Sequence, residues 1–203
     1  MRLYRLFDSK LSGNAWKVRI LLRQLGLPFE RVTLDLAKGA AADPLFRSKS
    51  RFARIPVLEL EDGRTVVESD AILLYLAEGS PFLPDDRYLR AEIVSWLFFE
   101  QADLLRPLAL PRFYHLIGKA AEMERRIAEF QEVGYPALAK LEQGLSGRDW
   151  LVGGRYSIAD LGVFPYVEMA PLGGYDMDRF PAIGAWLARV KAEPGWVPLV
   201  EEA

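Results

Sequence analysis

The chain runs to 203 residues, 51% apolar and 27% charged with a net charge of −2. That fits one large or two small globular domains and excludes disorder, fibrous repeats and an overall nucleic-acid footprint. It contains no cysteine and a single histidine, His115, so disulfide frameworks, thiol nucleophiles and Cys/His zinc sites are ruled out, and any sulfur chemistry has to arrive with a ligand.

Met1 to Asp8 alternates polar and apolar residues and lacks the apolar core of a signal peptide, so the chain is expected in the cytoplasm, with Leu3 to Phe7 as a strand. The longest run without Asp, Glu, Lys or Arg is the nine residues Phe180 to Ala188, against about twenty apolar residues for a membrane-spanning helix. From Asn14 to Leu25, Val18, Leu21, Leu22 and Leu25 recur at helical spacing while Lys17, Arg23 and Gln24 take other faces. Gly26 stops this helix, with Pro28 behind it. Phe29 to Leu34 reads as a second strand, and a polar loop with a short helix occupies about Asp43 to Ser50. Pro56 to Leu60 and Thr65 to Val67 form a hairpin around Asp62-Gly63, and Ala71 to Ala77 is helical. The order βαβαββα is thioredoxin-like, and it spans residues 1–78.

Residues 79–86 have the Pro/Gly punctuation of a linker, and beyond them strand signals nearly vanish. Residues 87–203 are expected to be an all-helical domain, with helices at Tyr88 to Arg106, about Ala120 to Gly144, Ile158 to about Ala170 and Pro181 to Ala192. Pro107, Pro111, Gly153-Gly154 and Gly173-Gly174 are read as breakers. Residues 1–78 hold thirteen Lys/Arg and ten Asp/Glu (net +3), the remainder thirteen and eighteen (net −5). A small anion is therefore drawn to the first part.

Three places in that part could carry chemistry. Ser12-Gly13-Asn14 joins the first strand to the first helix, where unpaired N–H groups and the helix dipole favour an anion; Ser12 or Asn14 acting only as an N-cap is the plainer account. Ile55-Pro56 opens an inner strand; by residue type alone the bond is expected to be trans and structural. Glu68-Ser69 precedes the third helix, where Ser69 as a plain N-cap is again the simpler account. All three fall at strand ends, where open α/β sheets hold ligands. Arg47, Lys49, Arg51 and Arg54 form a cationic loop, usually a solvated face but able to pair with a ligand carboxylate. In the second half, Ser157-Ile-Ala-Asp160 reads as a structural capping box, and Trp96, Phe98, Phe99, Leu104 and Leu105 as core or interface. His115 has no catalytic partner at suitable spacing and is read as structural or solvent-exposed.

The run Ser12-Gly-Asn14-Ala-Trp-Lys17-Val18, then Arg54-Ile55-Pro56-Val57-Leu58, then Glu68-Ser69-Asp70-Ala71-Ile72, then a Pro-rich linker and Ser157-Ile-Ala-Asp160, resembles the cytosolic glutathione transferases of the bacterial, serine-type kind. The likeness covers essentially the whole chain. It implies glutathione as cosubstrate, no metal, a small hydrophobic electrophile, a detoxifying transferase activity, and a homodimer formed through the Trp96 and Phe98-Phe99 helix and the Arg64 to Leu76 region, without nucleic-acid or membrane partners. By position, Ser12 would hydrogen-bond the glutathione sulfur and Asn14 sits where some relatives use an amide. Ile55 would pair with the cysteinyl part through a cis Pro56, Glu68 and Ser69 would hold the γ-glutamyl end, and Arg54 or a neighbouring cation the glycyl carboxylate. The family's electrophile pocket lies between its domains, which nominates Phe7, Leu11, Leu104 and Phe113. Tyr4 does not align with the tyrosine used by other classes. Without cysteine, routes through a protein–glutathione mixed disulfide are impossible. The alternatives are a glutathione-dependent disulfide reductase or dehalogenase on the same fold, and a binding or regulatory protein without turnover.

Overall fold

The computed structural model describes residues 3–200. The chain forms two compact units, one made of the described residues up to Ser80 together with those from Glu193 on, the other of Pro81–Ala192.

The first unit is a four-stranded sheet, β1 (Tyr4–Asp8), β2 (Phe29–Thr33), β3 (Val57–Glu59) and β4 (Thr65–Val67), with helices α1 (Gly13–Gln24), α2 (Pro44–Lys49) and α3 (Ser69–Ala77). The strand order is β2-β1-β3-β4, with β1 and β2 parallel and the other pairs antiparallel, the thioredoxin-like topology. Its core takes the fully buried Leu6 of β1, Val18, Leu21 and Leu22 of α1, Leu58 of β3 and Ile72 and Leu73 of α3. The apolar stripe of α1 thus faces inward as its spacing dictates. Gly26 ends that helix in the left-handed region (φ 63), and Leu27 N–H bonds back to Leu22 O at 2.9 Å, a closure suited to glycine.

Lys17 departs from the expected outward facing: it is completely buried, as is Arg19 two residues on, because each finds an acidic partner inside. The end of the chain departs too. Assigned by sequence to the helical domain, Glu193–Val200 instead packs on α1. Trp16 Nε1 donates to Val197 O at 2.7 Å, Arg19 Nη2 donates to Leu199 O at 2.6 Å, and the Trp16 and Trp196 rings meet edge-on.

The second unit carries α4 (Arg87–Phe99), a wider π-helical turn at Glu100–Leu104, α5 (Leu105–Leu116), α6 (Glu124–Leu145), α7 (Ile158–Glu168) and α8 (Pro181–Ala192). The expected linker does not hang free: Leu83 is buried, Phe82 O accepts Ile158 N–H at 3.1 Å, and the Phe82 ring meets Tyr156 edge-on. Pro107 and Pro111, read as breakers, lie inside α5. Pro107 follows directly on the π-helical turn, and the helix runs on through it, with Leu104 and Leu105 both in helical conformation. Pro111 leaves the Pro107 carbonyl without its helical donor, and the Tyr175 hydroxyl supplies one at 2.9 Å. The capping box at α7 is present as read: Asp160 accepts from Ser157 N–H at 3.0 Å, and Ser157 Oγ from Ala159 N–H at 3.2 Å.

Candidate functional site

Sheet register brings the three candidate segments to one edge. Phe7 of β1 pairs with Val57 of β3, and Val57 pairs with Val67 of β4. Because β3 runs antiparallel to both neighbours, the chain leaving β1 toward Ser12, the chain entering β3 through Ile55-Pro56, and the chain leaving β4 into Glu68-Ser69 all emerge at the same end of the sheet.

At the first of these, Ser12 is the N-cap of α1 and its Oγ accepts from Ala15 N–H at 3.2 Å. The capping account is therefore correct, yet it uses only the oxygen. The hydroxyl proton stays available to donate, in the field of a helix N-terminus that favours negative charge. Asn14 lies in the first turn, half-buried, and its Oδ1 is buried with no hydrogen-bond partner. Such a group in a native fold calls for a reason, and a ligand is one.

The Ile55-Pro56 bond is cis, as the resemblance implied and against the reading from residue type alone. Ile55 lies just outside the ladder, which begins at Val57. Ahead of it, Ser50 Oγ accepts from Arg54 N–H at 3.0 Å and donates to Arg54 O at 2.8 Å. This double bond fixes the backbone of Arg54 and leaves its side chain exposed. Lys49 is committed to Glu59, so of the four loop cations Arg47, Arg51 and Arg54 remain for an anion.

At the third segment the capping account fails. Glu68, not Ser69, holds the N-cap position of α3, its side chain makes no capping bond, and Ser69 is the first helical residue. The first N–H groups of α3 are thus left without a side-chain cap, an anion-binding arrangement when flanked by polar groups. Glu68 has φ 72 and ψ 121, a region that costs a non-glycine residue about 1–3 kcal/mol and is kept mainly where function requires it.

Sequence reasoning gave no role to the charges beneath these turns. Lys17 Nζ contacts Asp70 Oδ1 at 2.7 Å, joining α1 to the first turn of α3. Asp8, the last residue of β1, is fully buried and held by Arg31 Nε at 2.7 Å and Arg19 Nε at 3.3 Å. Burial raises its carboxyl above the ordinary range, against the pull of the two guanidinium groups.

The nominated pocket residues fare unevenly. Phe7 is buried against Phe46, Val57 and Val67, and Leu104 is buried completely; both are core positions and offer little surface to a ligand. Leu11 and Phe113 are partly exposed. Trp96 lies over Gly144, where an added Cβ would come within 2.7 Å of the ring, whereas Phe98 is 70% exposed. His115 is exposed. Among the described residues there is no cluster of three metal-ligating side chains and no helix long and apolar enough to cross a membrane.

Residues 11–78 match the family described as glutathione S-transferase, N-terminal domain, and residues 124–189 the corresponding C-terminal domain. The chain is 31% identical to the disulfide-bond oxidoreductase YfcG of Escherichia coli, over 90% of its own length and 88% of that protein's. It superposes on a crystal structure of a glutathione S-transferase from Pseudomonas fluorescens with a TM-score of 0.95, 40% identity and coverage of 98% and 99% of the two chains. It also superposes on Ure2p in complex with glutathione at a TM-score of 0.87, 25% identity and coverage of 95% and 96%.

Proposed function

Because this chain belongs to the glutathione S-transferase family, we propose that it binds glutathione along the shared sheet edge and uses its thiolate to attack a small electrophile. Ser12 donates to the sulfur, Ile55 pairs with the cysteinyl backbone, Glu68 and Ser69 hold the γ-glutamyl end, and an arginine of the loop, Arg54 first, meets the glycyl carboxylate. The observation that carries this reading is the register placing β1's exit, β3's entrance and β4's exit side by side.

The chemistry required is modest. A free thiol of pKa about 8.5 is only a few per cent thiolate at neutral pH. A hydrogen bond to a charged acceptor is worth about 1.5–3 kcal/mol, and one pKa unit is about 1.36 kcal/mol, so one hydroxyl donor lowers the thiol by roughly one to two units. The helix entrance adds about 0.3–1 kcal/mol in the same sense. Solvent takes the proton; the sulfur then forms its bond to the electrophile as the leaving group departs.

A second reading is supported by the place of Asn14 in the first turn of α1, beside Ser12, where its amide NH2 group is a donor suited to a thiolate, and by the name of the YfcG relative. In it, an amide-stabilised glutathione thiolate attacks a disulfide, forming a mixed disulfide with glutathione and expelling the other thiolate. We extend the proposal to a cytoplasmic homodimer of the bacterial serine type, with Phe98 of α4 and Tyr75 of α3, both exposed, as contact residues. The test is retention on immobilised glutathione followed by turnover of an activated aryl halide and of a glutathionyl disulfide. Turnover of the halide supports the first reading, turnover of the disulfide alone the second, and retention without turnover a binding protein. A chain that is not retained refutes the glutathione site.

A further inference from the structure

Two charged side chains in the first unit have no assigned role in capping or ligand contact, yet they lie directly behind both. Lys17 is the fifth residue of α1 and its side chain is completely buried; Asp70 is the second residue of α3 and its side chain is 13% exposed. Their contact of 2.7 Å ties the second turn of α1 to the first turn of α3, the two helices whose entrances carry Ser12–Asn14 and Glu68–Ser69. Desolvation largely offsets the attraction within a buried ion pair, so an apolar pair of similar volume is often no less stable. What such a pair does supply is direction: an ammonium and a carboxylate in this setting tolerate one arrangement, whereas apolar side chains tolerate several.

Building on the glutathione reading, we propose that the Lys17–Asp70 ion pair is the positioning element that sets the span between the sulfur end and the γ-glutamyl end of the bound tripeptide. Glutathione is one molecule with its thiol at the entrance of α1 and its glutamyl group at the entrance of α3. The thiol of its central cysteinyl residue and its γ-glutamyl head are both well seated only over a narrow range of separations of those entrances. α1 and α3 pack against each other, and the pair joins them one turn into α1 and directly beside Ser69 in α3. A misplacement of about 1 Å between reacting groups costs about a hundredfold in rate, so a slip of a fraction of a helical turn is enough to matter.

The test uses the full chain with Lys17→Met/Asp70→Leu, which replaces the pair by apolar groups, and Asp70→Asn, a near-isosteric change at the less buried partner. Melting temperature, kcat and KM for glutathione are read for each. The expected result is a double variant that melts near the parent, with KM for glutathione raised severalfold and kcat/KM lowered at least tenfold. Asp70→Asn should shift the same way. A double variant with parental kcat and KM overturns the proposal, because the pair would then matter to folding alone. Should the double variant fail to fold, Asp70→Asn decides by the same split: parental constants refute, raised KM supports. Failure of the parent chain itself to bind glutathione is a different result, and removes the reading on which the proposal rests.

Discussion

Replacing Ser12 by alanine removes two bonds whose consequences are measured separately. The first is the cap: Ala15 N–H loses the acceptor it has at 3.2 Å, at a cost of about 1 kcal/mol, which in a chain of this size lowers Tm by about 2–4 °C. The second is the donor to sulfur, whose loss of about 1.5–3 kcal/mol raises the bound thiol by roughly one to two pKa units at about 1.36 kcal/mol each. The helix entrance remains, so the variant's thiol should stay a little below the free value of about 8.5. At neutral pH the thiolate fraction falls about tenfold, and kcat with it, while KM for glutathione changes little. Ultraviolet thiolate absorbance titrated against pH reads the second effect, and thermal melting the first. Ser12→Asp separates them further, since aspartate is a good N-cap but has no proton to give: it should melt near wild type and turn over poorly. If Ser12→Ala melts lower but the bound thiol titrates as in wild type, Ser12 is a cap and nothing more. A larger loss in Asn14→Ala would move the donor role to the amide.

Two further perturbations probe backbone strain and buried charge. Glu68→Gly and Glu68→Ala both remove the carboxylate and should raise KM for glutathione with kcat largely spared; but at φ 72 only glycine is unstrained, so the glycine variant should melt higher than the alanine variant, by an amount worth about 1 kcal/mol. The reverse order in thermal melts would contradict the strained conformation. Asp160 is fully buried and its carboxyl is raised from 3.8 to about 6 by burial, against the hydrogen bonds from Leu151, Trp186 and Ser157 that lower it. With the folded value raised, its contribution to stability is complete below about pH 4 and is lost as pH rises through about 6, by about 3 kcal/mol. Asp160→Asn, which turns an amide N–H toward donors, should be less stable than wild type at both ends, and the gap should narrow between pH 4 and pH 7.5 in denaturant titrations; a gap independent of pH would contradict the raised value.

How much of this was readable beforehand depends on where each signal resides. Val18, Leu21 and Leu22 announced α1, and Asp62-Gly63 the hairpin, because periodicity and turn chemistry are local. The two prolines of α5 misled because the remedy for Pro111 is not local: the hydroxyl that serves Pro107 O belongs to Tyr175, sixty-eight residues away. Phe7 and Leu104 were nominated for a pocket by the resemblance, which gives the region of the pocket but not which apolar side chains there are core and which are lining. Lys17 looked like a solvent-facing residue because its acidic partner sits on another helix. The docking of Trp196 and Val197 on α1 left no periodic trace, since an irregular segment has no period to betray it. The site segments were legible as types, a hydroxyl at one helix entrance, a proline at a strand start, a carboxylate-hydroxyl pair at another entrance. Their meeting at one sheet edge required the register.

The helix entrances also separate capping from binding in a way residue type cannot. At α7, Ser157 and Asp160 satisfy each other's neighbouring N–H groups, so that entrance is closed and calls for no ligand. At α1, Ser12 closes part of the turn but keeps its proton, and Asn14 leaves an oxygen unpartnered. At α3, the residue in the cap position carries a carboxylate that makes no cap, on a backbone strained enough to disfavour it for stability alone. A serine stands at or beside the helix start in all three, with an acidic neighbour at α7 and α3 and an asparagine at α1; what differs is how much of the hydrogen-bonding capacity the fold itself consumes. The two entrances with capacity left over are the two that share the sheet edge with Ile55, and the Lys17–Asp70 pair joins them. On the proposed reading, one ligand with a thiolate at the α1 entrance and a γ-glutamyl head at the α3 entrance would use the hydroxyl proton of Ser12 and the uncapped first N–H groups of α3 together.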